Sequence, residues 1–128
     1  MDKYSLNDEE KEMFKYYILK GIPDVLRIRL WIVSSGAQNE IKSNPSYYRE
    51  LLELSKEVPS LYSDIIEKDV DRTFNDFIKE NSKYKIMLLN ILKCYSIRNS
   101  SIGYCQGFNF IVLRILEIIK DEVILIFI

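Results

Sequence analysis

The sequence predicts an all-α fold, an irregular domain of about six helices, on three observations. Apolar residues recur at three- and four-residue spacing along the 128 residues, the period of a helix rather than the alternation of a strand. The few breakers, four glycines and three prolines, fall between the apolar runs and not inside them. An apolar content of 48% supplies material for one buried core, so residues 1–128 read as a single folded unit.

Each helix follows from its own signals. Asn7 opens the first, with Glu10 three residues later to complete a capping box and Gly21 to close it; Phe14, Tyr17 and Ile18 form its expected buried face. Pro23 suits the first turn of a second helix, where its missing N–H costs nothing, and Leu26, Leu30 and Val33 line one side before the stop at Ser34-Ser35-Gly36. A polar stretch follows. Asn44-Pro45 then opens a third helix with Tyr48, Leu51 and Leu52 inward, and Pro59 limits its C-terminal extension. A fourth is expected over 60–71 and a strongly apolar fifth over 85–97. The polar turn Arg98-Asn99-Ser100-Ser101-Ile102-Gly103 precedes a last helix from Gln106 onward. Over 110–128 that helix carries one narrow polar stripe, Arg114, Glu117 and Asp121, and ends in Val123-Ile124-Leu125-Ile126-Phe127-Ile128. An apolar surface of this kind is expected to be covered by protein, and uncovered it favours self-association with a second copy through this C-terminal segment.

Composition narrows the function classes. Eighteen basic and 19 acidic residues leave a net charge of -1, too little positive field for a nucleic-acid partner. Two cysteines, Cys94 and Cys105, with no histidine make neither a disulfide framework nor a metal site nor a histidine-based triad; both are expected reduced and buried. Residues 1–7 carry no apolar signal, and no uncharged run approaches the roughly 20 residues of a bilayer span, so the expectation is a cytoplasmic protein that does not cross a membrane.

Three segments carry possible chemistry. The first, Gly21-Ile22-Pro23-Asp24-Val25-Leu26-Arg27-Ile28-Arg29-Leu30-Trp31, is a helix stop followed by a Pro-initiated helix; Trp31, one turn beyond Arg27, either stacks on its guanidinium or fills core space. In the second, Ile66-Glu67-Lys68-Asp69-Val70-Asp71-Arg72-Thr73-Phe74, Ile66 and Asp69 share a helix face and Asp69 precedes Arg72 by three residues. That pair is either a surface ion pair worth well under ~1 kcal/mol or a carboxylate orienting an Arg, near a helix end and backed by Phe74, toward a partner's phosphates. Arg suits the latter because its planar, permanent charge can bridge two phosphate oxygens. In the third, Asn99-Ser100-Ser101-Ile102-Gly103-Tyr104-Cys105-Gln106-Gly107-Phe108-Asn109-Phe110, two glycines bracket Tyr104 and Gln106. A Gln there could orient a water through an amide that both donates and accepts; the alternative is an Asn/Ser-rich turn with a core Tyr and a capping Gly.

Together the three segments resemble, in order and approximate spacing, the signature blocks of the TBC-domain Rab GTPase-activating proteins, from about Gly21 to the end of the chain. Gly21 to Trp31 is similar to the family's opening Gly-Ile-Pro block, Ile66 to Arg72 to its Ile-x-x-Asp-x-x-Arg motif, and Tyr104-Cys105-Gln106 to its Tyr-x-Gln motif. Three positions depart from the pattern: Ile28 where a Gly usually follows Leu-Arg, Asn75 where a Pro commonly follows Arg-Thr-Phe, and Ser100 where a Pro is common before Gly-Tyr-Cys-Gln. They bear on loop geometry, since none removes Arg72 or Gln106.

The resemblance implies the N-terminal half of a TBC domain, because the family's domain extends well beyond this length. It implies a GTPase activator, not a free-standing hydrolase, that lends Arg72 and Gln106 in trans as catalytic fingers to a GTP-bound Rab-family GTPase and so regulates vesicle trafficking. Asp69 and Tyr104 would orient the fingers or contact the partner. Ile66, Pro23, Arg27, Trp31, Gly103 and Gly107 would build the motifs. The chain would carry no cofactor, GTP and Mg²⁺ belonging to the partner, and would reach endomembranes through it. A non-catalytic Rab-binding scaffold with the same fold, or an unrelated helical interaction domain, are the alternatives.

Overall fold

The computed structural model describes residues 7–76 and 82–127; the expectations placed on residues 1–6 and on Ile128 lie outside them. Among the described residues the chain forms helices α1 (Asp8–Lys20), α2 (Asp24–Ser34), α3 (Ala37–Ser43), α4 (Tyr47–Glu57), α5 (Ser63–Asp76), α6 (Ser82–Arg98), α7 (Phe108–Ile119) and α8 (Glu122–Leu125). Helix α6 is the hub, packing against α4, α5, α7 and α8. It can do so because it is apolar on two sides. Leu88, Ile91 and Leu92 meet Ile66, Val70 and Phe74 of α5 and Leu113, Leu116 and Ile119 of α7. Cys94 meets Ala37 of α3, Tyr48 and Leu51 of α4, and Ile126 and Phe127 beyond α8.

Local signals place α1 and α2 as expected. Asn7 Oδ1 accepts from the Glu10 N–H at 2.8 Å while Glu10 accepts from the Asn7 N–H at 2.8 Å, a complete capping box. The expected burial does not follow. Ile18 and Tyr17 are exposed, the latter 57%, and Phe14 is only half-buried. These side chains face α2 across a groove lined also by Ile22, Pro23, Leu26 and Leu30, and among the described residues α1 makes no extensive contact with another helix. Periodicity marks a sticky face; it does not supply what covers it.

Other boundaries move for tertiary reasons. The polar stretch after Gly36 folds as α3, which a seven-residue propensity would not sustain alone; it is held against α2 and α8, with Ala37 fully buried. Helix α5 runs on to Asp76, so Arg72 sits within the helix and not near its end as expected. Helix α6 begins three residues earlier than 85.

The last expected helix is broken in two. Lys120 takes a left-handed conformation (φ 58°), and Asp121 Oδ1 accepts from the Val123 and Ile124 N–H groups at 2.9 and 3.3 Å to start α8. The break turns Leu125, Ile126 and Phe127 back into the protein, where all three are buried. Arg98 locks the end, donating to the Ile126 carbonyl and lying 5.1 Å over the Phe127 ring. Of the apolar surface expected over 110–128, Leu125 to Phe127 are thus covered by the chain's own helices, while Phe110 and Ile111 stay exposed. No helix among the described residues is long and apolar enough to cross a membrane.

Candidate functional site

Residues of the second and third sequence segments converge on one cleft of about 220 Å³. Asp69, Arg72 and Thr73 line it from α5, and Gln106, Gly107, Asn109 and Phe110 from the loop before α7 and the first turn of α7. Helix geometry divides the labour within α5. Ile66, Val70 and Phe74 lie in the main core and fix the helix, Ile66 without any exposed surface. Asp69 and Thr73, four residues apart, are buried beneath the cleft, while Arg72 projects out with its side chain 66% exposed.

The loop between α6 and α7 is shaped by its glycines. Gly103 has φ 65° and lies so close to the Tyr62 ring that an added Cβ would stand 2.0 Å from Cε2. Tyr104 then enters the core and packs edge-on against Phe108, at a centroid distance of 6.0 Å. Cys105 and Gln106 remain outside. Cys105 is therefore exposed, correcting the expectation of two buried thiols; Cys94 is buried, and both are free. Gly107, with φ 101°, begins α7.

Beneath the cleft, Tyr104 donates its phenol hydrogen to Asp69 Oδ2 at 2.9 Å, and the other Asp69 oxygen lies 3.7 Å from Arg72 Nη1. Burial, then this bond to a carboxylate, pushes the Tyr104 phenol well above the ordinary tyrosine value, so it remains a donor across the physiological range. The Asp69–Arg72 contact contributes little stability, because the guanidinium is largely solvated. Its effect is directional: a buried, fixed carboxylate biases where an exposed cation rests. An exposed guanidinium can neutralise anionic oxygens and an exposed Gln amide can hold a water, both from one cleft. The cleft is smaller than the ~300–1,000 Å³ typical of enclosing ligand pockets.

The other sequence-selected residues do structural work away from the cleft. Pro23 caps α2; Arg27 pairs with Asp24 at 2.7 Å and donates to the Ile22 carbonyl at 3.2 Å. Trp31 packs against the main core. Sequence reasoning missed Thr73 and Asn109, whose side chains link the two walls. The available signals were Thr73 four residues after Asp69, hence on its face, and an amide at Asn109 beside an apolar run, where an unpaired polar group would be costly.

Fold and cleft define an all-helical domain with an exposed Arg and an exposed Gln, from separate elements, lining one depression. The family model for the Rab-GTPase-TBC domain matches residues 24–127, and the chain belongs to that family. It is 37% identical over 118 residues to growth hormone-regulated TBC protein 1 of Xenopus laevis, covering 89% of this chain and 34% of that protein. It is 39% identical over 112 residues to the Homo sapiens protein of the same name, covering 84% and 33%. The chain thus spans about a third of the length of the curated relatives it matches. Among solved structures, the Chlamydomonas flagellar RabGAP TBC domain superposes with a TM-score of 0.77 at 28% identity, over 98% of this chain and 43% of that one.

Proposed function

We propose that this chain carries the two finger residues of a GTPase-activating domain that acts in trans on a GTP-bound Rab-family GTPase. The observation that carries the reading is the shared cleft: Arg72 and Gln106, exposed and from different elements, line one depression with a buried carboxylate beneath. Arg72 places its guanidinium against the charge that develops on the phosphate oxygens as the terminal phosphoryl group leaves. Gln106 holds the attacking water, donating with its amide N–H and accepting with its carbonyl. GTP and Mg²⁺ come with the partner. An Arg supplied this way accelerates hydrolysis on the order of 10³–10⁵-fold. The biological consequence is timed inactivation of a Rab GTPase in vesicle trafficking, by a cytoplasmic protein that meets endomembranes through its partner.

Single-turnover GTP hydrolysis by a panel of Rab GTPases, with the complete protein, tests this directly. Arg72→Ala and Gln106→Ala are each expected to slow stimulated hydrolysis by about 10²-fold or more with folding intact, because both side chains are exposed. Arg72→Lys is expected not to restore the rate, since an ammonium lacks the planar fork. Unchanged rates in a variant that folds and binds would remove that residue from the chemistry. Tight binding of a GTPase without acceleration would make the domain a scaffold.

A further inference from the structure

We propose that Asn109 is a positioning residue, anchored on Thr73, that holds the two finger-bearing elements in register; this rests on the reading of Arg72 and Gln106 as fingers. Asn109 is 3% exposed, at the second position of an otherwise apolar first turn of α7. Burying an amide there costs free energy unless both its ends are bonded, and both are. Its Nδ2 donates to Thr73 Oγ1 at 2.7 Å, and its Oδ1 accepts from the Gly107 N–H at 3.2 Å and lies 3.3 Å from the Tyr104 hydroxyl. The orientation of the amide is fixed, because a backbone N–H can only donate and so must face the oxygen. The Thr73 hydroxyl donates its hydrogen bond to the Asp69 main-chain carbonyl at 2.7 Å, leaving a lone pair for Asn109. Tyr104 has one proton, and its shorter bond is to Asp69.

The chain of bonds therefore runs from α5 at Thr73, the residue after Arg72, to Gly107, the peptide that follows Gln106. Gly107 is in the left-handed region, and the bond from its N–H to Asn109 fixes the turn that carries Gln106. An apolar side chain of similar size would fill the space at lower desolvation cost. What the amide adds is direction, tying the Gln106 turn to α5 through side chains instead of shape alone. Registration matters for chemistry, since misplacing a catalytic group by about 1 Å can cost about 10²-fold in rate.

The test is steady-state kinetics of the complete protein acting on a GTP-loaded Rab-family GTPase. Asn109→Ala and Thr73→Val are expected to lower kcat by about tenfold to a hundredfold with KM near its starting value. Thr73→Ser, which keeps the hydroxyl, is expected to recover most of the kcat lost in Thr73→Val. In a Gln106→Ala background, Asn109→Ala is expected to add little further loss, because the group it positions is gone. Unchanged kcat in Asn109→Ala, a full multiplicative loss in the Gln106→Ala background, or equal damage from Thr73→Ser and Thr73→Val would each overturn the proposal. Should Asn109→Ala fail to fold, the two Thr73 variants decide alone. If Arg72→Ala and Gln106→Ala damage activity while Asn109→Ala does not, only the positioning role falls; if the first two are silent, the finger reading falls and takes this one with it.

Discussion

Gly103 is where a single atom would matter most. Its φ of 65° is in the left-handed region, and the Tyr62 ring occupies the place of a Cβ. Gly103→Ala combines a left-handed penalty of about 1–2 kcal/mol with an overpacking cost of about 1–3 kcal/mol. A loss of roughly 2–5 kcal/mol in urea denaturation is therefore expected; a change under about 0.5 kcal/mol, the size of an ordinary surface substitution, would show that Tyr62 moves aside freely. Gly107 has a similarly positive φ but open space around it, so its alanine variant meets only the backbone penalty. The bracket of Gly103 and Gly107 around Tyr104 and Gln106 was legible in the sequence, as was the three-residue step from Asp69 to Arg72. The partnership of Asn109 with Thr73 was not, because it joins positions 36 residues apart whose local context says only that each is polar.

At the scale of elements, the break between α7 and α8 shows one local preference overruling another. Apolar spacing over 110–128 favours one continuous helix, but Asp121 is also a good cap, and its side chain satisfies two N–H groups that a continuous helix would bond internally. Lys120 bears the strain, being the non-glycine described residue with positive φ. Two substitutions are expected to move stability in opposite directions. Asp121→Ala should lose about 0.5–2 kcal/mol with the cap, while Lys120→Gly should gain about 1 kcal/mol by relieving the left-handed penalty. Urea midpoints of the two variants measure this, and a stabilising Asp121→Ala would mean that the continuous helix is the preferred form. Helix α3 is the opposite case, a short polar segment whose own signals are weak and whose buried Ala37 contact decides its conformation.

Across the whole molecule, buried acids that are neutral in the fold give stability a pH dependence. Burial is the main influence on Cys94 and, against a smaller opposing effect of Ser55, pushes its thiol up to about 11. Burial and then Glu122 push the Tyr48 phenol up as well, and Tyr104 shifts the same way. For each, the unfolded chain releases its proton at lower pH than the folded one does. Above the unfolded value the unfolded state therefore binds fewer protons, and stability falls as pH rises. The contribution of Cys94 is fully present below pH 9.0, the ordinary thiol value from which it is raised, and is lost toward pH 11, amounting to about 2–3 kcal/mol. Denaturation at constant ionic strength should show a flat region near neutrality and a decline above pH ~9, less steep in Cys94→Ala. An equal slope in that variant would assign the decline to the tyrosines alone.

The sequence by itself determined the elements with strong local signals: the capping box at Asn7, the stops at Gly21 and Gly36, the helical period of α4 to α7, and the motif residues Asp69, Arg72, Tyr104 and Gln106. These are legible because helix period, capping and spacing act within a few residues. The tertiary structure alone decided which apolar faces are covered. Tyr17 and Ile18 stay exposed although α1 presents them at helical spacing, and Ile126 and Phe127 are buried although nothing near them in sequence says against what. It also decided that Arg72 and Gln106 share a cleft and that Asn109 and Thr73 join its walls. Burial and hydrogen bonding between distant residues depend on how helices meet in space, and no local pattern encodes which face meets which.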